Sequence, residues 1–196
     1  MKLTKHLMIL ALVIFAFSAC KTTRTVERID PKETIDLSGR WNDTDARLVA
    51  EEMVKDALAR PWRTRFETQN NKPPRIIVGT IVNRSSEHIA SETFINDIER
   101  ELLNTGLVKL AQGKDFREEV RKERGDQQEF ASPETTKRWK KELGADYMLQ
   151  GTINSIVDQF NKQKTVTYQI DLKLTDLENN DISWIGQKKI KKYIEN

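Results

Sequence analysis

The chain has one cysteine, Cys20, in 196 residues. An internal disulfide and a thiolate zinc cluster are therefore excluded, although an exported protein would be free to use disulfides. Of its two histidines only His88 lies outside the N-terminal apolar segment, so no histidine shell for a metal can form. The eight glycines include no phosphate-binding loop; Gly79 and Gly151 stand alone inside apolar runs, where close packing explains them. Charge of one sign is missing too. The formal net charge of +3 falls to about +1 once Lys2 and Lys5 leave with the segment described next, and no argument for nucleic-acid binding survives. No cofactor is expected.

Long apolar runs are absent except at residues 7–17, in MKLTKHLMILALVIFAFSAC. Two lysines, about eleven apolar residues, then Ser18 and Ala19 before Cys20 make the three-part build of an export signal. The run is well short of the roughly 20 residues that cross a bilayer as a permanent helix. A cysteine directly after the small residues has no use in an ordinary signal. Phe17-Ser18-Ala19-Cys20 resembles the bacterial lipobox, whose cysteine thiol receives a diacylglycerol and becomes the acylated N-terminus. By resemblance to the enterobacterial sorting rule, Lys21 rather than aspartate after the cysteine implies the outer membrane. Residues 1–19 are then the signal peptide, 20–40 a lipidated N-terminus and flexible tether, and 41–196 one globular domain, long enough to bury its own core.

Within that domain the apolar positions set the elements. Ala46, Val49, Ala50, Met53, Val54, Ala57 and Leu58 form one helical stripe, with Asp43, Thr44 and Asp45 as N-terminal caps and Arg60-Pro61 as the stop. A polar stretch follows. The continuous run RIIVGTIV over 75–82 predicts a central strand covered on both faces. Ser91 caps a helix carrying Phe94, Ile95, Ile98 and Leu102, closed by Gly106; residues 107–110 read as a short strand, and this strand–helix–strand order permits parallel pairing. A charged helix spans about 116–124, and Ser132-Pro133-Glu134 opens another that Gly144 ends. The last fifty residues alternate as strands, Asn179-Asn180 making a tight turn, so an antiparallel three-stranded meander is expected. The fold class is α/β (α+β): a mixed sheet of about four to five strands flanked by helices.

Chemistry is sparse. In NRSSEHI, His88 has Ser85, Ser86 and Glu87 as neighbours, but adjacent residues in one loop rarely converge on one point, and a capping or contact role is the better reading. No catalytic residue and no metal site is assigned, and the chain is not expected to be an enzyme. Trp139 and Trp184 sit on apolar phases and read as core, whereas Trp41 and Trp62, at helix boundaries, are candidates for exposure. The closing run QKKIKKYIEN reads as a solvated strand end, with a partner-binding patch as the alternative reading.

VGTIVNRSSEHI at 78–89, GADYMLQGTI at 144–153 and YQIDLKLTDLENNDISW at 168–184 resemble, in order, the three sequence blocks of the LpoB family of lipoproteins. The resemblance implies a fold similar to the N-terminal domain of TolB. It implies an outer-membrane lipoprotein facing the periplasm, a monomer, that binds a bifunctional penicillin-binding protein and activates its peptidoglycan synthesis without chemistry of its own. Asn83, Arg84, Ser85, Glu87 and His88 are the candidate partner-binding residues, since polar loops held between a strand and a helix often carry recognition. The best-known members carry a longer, proline-rich tether; here it holds one proline, Pro31. A structural adaptor of an outer-membrane transport or secretion machine is the alternative reading of the same domain.

Overall fold

The computed structural model describes residues 24–132 and 142–195. Cys20, the export signal, Trp139 and most of the helix expected from Ser132 onward lie outside them. Two compact units are distinguished. In residues 24–33 of the first, Asp30 closes a turn by accepting from the backbone N–H groups of Lys32 and Glu33. The second runs from Thr34 to Asn196.

The second unit opens with α1, Asp43–Leu58. Its cap is Asn42, one residue before those expected: Asn42 Oδ1 accepts from Asp45 N while Asp45 Oδ2 accepts from Asn42 N, a reciprocal capping box. Pro61 does not end order. It occupies the first position of α2, Pro61–Asn70, where its missing N–H costs nothing, and Asn71 in left-handed conformation ends that helix. Trp62 is buried, its indole N–H donating 2.7 Å to Ala57 O, and its ring meets Tyr147 edge-on.

Next come β1 (Arg75–Arg84), α3 (Ser91–Asn104), β2 (Lys109–Leu110), α4 (Lys114–Phe130) and the strands β3 (Tyr147–Phe160), β4 (Gln163–Asp176) and β5 (Ile182–Glu195). Ser91 begins α3, but Ala90 holds the cap position and no side chain caps it; Gly106, at φ +67°, closes the end as expected. The helix read at about 116–124 is longer, reaching Phe130. One sheet in the order β2-β1-β3-β4-β5 results, parallel across β2, β1 and β3 and antiparallel from β3 to β5. The expected meander is there, and Asn180, with positive φ, makes its second turn.

One face of the sheet carries the core. Ile76, Val78, Ile81, Leu149, Ile153, Val166, Tyr168, Ile170, Leu172 and Leu174 are buried beneath Val49, Ala50 and Met53 of α1 and Phe94, Ile98 and Leu102 of α3. At roughly 1.5–3 kcal/mol for each large side chain removed from water, this face decides the fold. Gly151 belongs to it; a Cβ there would lie 2.3 Å from Asp171 O, so the residue must be glycine for β3 and β4 to pair. The other face is different. β1 alternates between buried and open positions instead of being covered on both sides, and Val82 is exposed. The helices α1 and α3 cover the core side.

Candidate functional site

The loop after β1 keeps the strand's alternation. Arg84, Ser86 and His88 are exposed, while Asn83, Ser85 and Glu87 are turned inward. Asn83 is the hub: its Oδ1 accepts from Ser85 N (2.9 Å) and Ser85 Oγ (2.7 Å), and its Nδ2 donates to Glu87 O (2.8 Å). Such a side-chain turn is what asparagine does well, mimicking backbone hydrogen bonding over two residues. Ser86 N donates to Ser155 Oγ at 3.0 Å, tying the loop to β3. The serine hydroxyls are thus engaged with Asn83 and Ser155 rather than set against His88.

Glu87 fixes the loop to the core. Tyr168 Oη, whose side chain is fully buried on β4, donates to Glu87 Oε1 at 2.7 Å, and Trp41 N donates to Oε2 at 3.2 Å. The Trp41 ring closes this corner edge-on to Tyr168 (5.6 Å between centroids) and Phe94 (5.9 Å), so it is a half-buried packing residue and Trp62 a buried one. Of the five candidate partner-binding residues, Asn83, Ser85 and Glu87 shape the loop. Arg84 and His88 are presented to solvent. Ser86, not among the candidates, is presented with them.

A second polar cluster sits near the start of α1. Lys192, expected in a solvated strand end, is 8% exposed. Its ammonium pairs with Asp45 at 2.6 Å and with Asp36, and donates to Arg40 O at 3.0 Å. Asp36 and Arg40, which the sequence reading assigns to the tether, are thus tied to β5. Burial alone would push the Lys192 pKa down; the hydrogen bonds that its ammonium donates to Asp36 and Asp45 outweigh it and hold it above its ordinary value. The Lys192 hydrogen bond in turn holds Asp36 below the usual carboxylate value.

These groups make stability fall at alkaline pH. Tyr168 is pushed above its ordinary value by burial and by its bond to Glu87, and Tyr147 is raised by burial and by Asp176. For both tyrosines and for Lys192 the folded pKa exceeds the unfolded one. Their stabilisation is complete below the unfolded values of 10.0 and 10.5 and is lost as pH rises through the folded values. The urea midpoint is expected to be flat from about pH 8 to 10 and to drop beyond about 10, with a smaller drop in Tyr168→Phe. A midpoint unchanged up to about pH 11.5 would contradict the cluster.

Among the described residues no three His, Cys, Asp or Glu side chains converge on a metal position, and no helix is long and apolar enough to cross a membrane. What the arrangement supplies is a rigid, exposed polar loop, preorganised by buried hydrogen bonds.

Comparison with known proteins adds a family. The family model described as "Peptidoglycan-synthase activator LpoB" matches residues 45–190, which include the loop. Among solved structures, the LpoB C-terminal domain from Escherichia coli is 18% identical, the match covering 74% of this chain and 98% of that one, with a TM-score of 0.46. Lipoprotein GNA1162 from Neisseria meningitidis is 15% identical over 62% of this chain and 84% of its own, at 0.39. A PelC dodecamer variant from Paraburkholderia phytofirmans is 13% identical over 62% and 73%, at 0.37. No curated protein sequence matches.

Proposed function

The chain belongs to the LpoB family of peptidoglycan-synthase activators, and from that premise we propose that it is a lipoprotein of the outer membrane that binds a periplasmic penicillin-binding protein and raises its synthetic activity. The observation that carries the reading is the family match over residues 45–190, which encloses the loop, α1, α3 and nearly all of the sheet. Cys20 is the lipid site, the residues after it a tether, and the domain from about Thr34 onward a monomeric, noncatalytic effector. Activation then needs only that the protein bind the active state of the synthase better than the resting one. A preference of about 1–3 kcal/mol, typical of allosteric coupling, is enough.

Arg84 and His88 are the loop residues that fit contact with that partner, being exposed on a backbone that Asn83, Ser85 and Glu87 hold still. The test uses the full-length protein in detergent micelles with each bifunctional synthase of the same organism, measuring binding and polymerisation of lipid-linked precursor. The wild type is expected to bind at least one synthase and speed its glycan polymerisation. Arg84→Glu or His88→Glu should weaken binding about tenfold with an unchanged melting temperature, because neither side chain supports the fold. No binding and no rate change with any synthase would overturn the reading.

A further inference from the structure

We infer that the solvent-facing side of the sheet, at the end where β3, β4 and β5 continue past β1, is a docking surface for a protein partner presenting an apolar centre flanked by carboxylates. The inference rests on the activator reading: the occupant is taken to be an acidic face of the synthase.

The strand register defines the surface. β1 ends at Arg84, opposite Asn154, which pairs with Gln169, itself opposite Lys189. The next row on the same face is Ile156, Thr167 and Lys191; then come Asp158, Thr165 and Tyr193; the last is Phe160, Gln163 and Glu195. Side chains alternate along strands, so all these residues share the face away from α1 and α3. Strands β3 and β4 pair without a break to Phe160 and Gln163, where Asn161, with positive φ, starts the turn.

Two features of this face call for a partner. Ile156, Phe160 and Tyr193 are 64%, 76% and 58% exposed, three large side chains on one surface with short threonines between them. Single exposed apolar residues mean little, but aromatics grouped on one rigid sheet face match the composition of interface hot spots. The second feature is charge. On β5 the lysines divide by face: Lys188 and Lys192, on the core phase, pair with Glu52 and with Asp36 and Asp45. Lys189 and Lys191, on the outer phase, have no ion pair among the described residues, and neither do Arg84 and Lys162. Against these four cations the same end carries only Asp158 and Glu195, and Glu195 accepts from Tyr193 Oη. Unpaired cations around an apolar centre are complementary to carboxylates around an apolar centre.

The test compares full-length wild type with Phe160→Ser, Tyr193→Ser and Lys191→Glu in detergent micelles, by binding to the synthase that the wild type activates. Lys122→Glu on α4 serves as the control. Phe160→Ser and Tyr193→Ser should each weaken binding about tenfold or more, with melting temperatures unchanged because both rings are exposed. Lys191→Glu should weaken it by a similar factor near 50 mM salt, and the difference should shrink as salt rises, as expected of an exposed charge. Wild-type affinity in all three variants, alongside loss in His88→Glu, would overturn this surface and leave the activator reading intact. A wild type that binds no synthase would overturn the activator reading and remove the occupant named here.

Discussion

Replacing Lys192 with methionine is expected to destabilise the protein by about 3–5 kcal/mol, far more than any surface ion pair is worth. Methionine nearly matches the length of the lysine stem, so little packing is lost. What is lost is the ammonium that faces Asp45, whose side chain is only 9% exposed, and Asp36. Asp36 is about half exposed and can recover water, which puts the expected cost at the lower end of the range. Asp45 cannot do so without opening the start of α1, where its other role is to accept from Asn42 N. The melting temperature should fall by roughly 6–12 °C for a chain of this size. Adding Asp45→Asn should recover most of the loss, because an amide keeps an acceptor for the cap without leaving a buried charge unpaired. A loss below about 1 kcal/mol for the single variant, or no recovery in the double, would mean that water reaches the cluster.

Lys192 also marks a limit of reading sequence. QKKIKKYIEN contains four lysines, and composition alone makes them a solvated end. Strand phase separates them, yet phase could not say that the core side near Lys192 holds carboxylates: Asp45 and Asp36 lie roughly 150 residues earlier in the chain. Glu87 is similar. Its partner Tyr168 is on another strand with no local signal linking them, so the sequence does not show that Glu87 fixes the loop. Periodic patterns fared better. The stripe from Ala46 to Leu58, the helix closed by Gly106 and the alternation along β4 each follow from one residue's spacing to the next, and each is found in the fold. Pro61 stops α1 as read and also starts α2, since proline suits both places, but the residues after it read only as a polar stretch. The β1 run misled because it is apolar on both sides although its outward positions are only partly covered and Val82 is exposed.

Cys20→Ser is expected to move the protein from the membrane fraction to the soluble one, an all-or-none effect if the proposed lipid site is right. Burial of acyl chains contributes about 0.8 kcal/mol per methylene; one chain gives only reversible binding, whereas the two or three of a bacterial lipoprotein hold it firmly. The apolar run at residues 7–17 is too short to span a bilayer, and among the described residues no helix is long and apolar enough to do so. An alkyne fatty acid fed to cells should tag the wild type and not the serine variant. The consequences for activation should separate from those for attachment. In detergent, where protein and synthase meet freely, the serine variant should stimulate glycan polymerisation as well as the wild type, because the proposed contact residues all lie in the domain. In cells it should fail, because loss of the lipid anchor removes the high effective concentration that anchoring provides. A serine variant that stays in the membrane fraction and still takes up the tag would rule out Cys20 as the lipid site. One that loses the tag and also loses activity in detergent would mean that the lipidated end contributes to the contact itself.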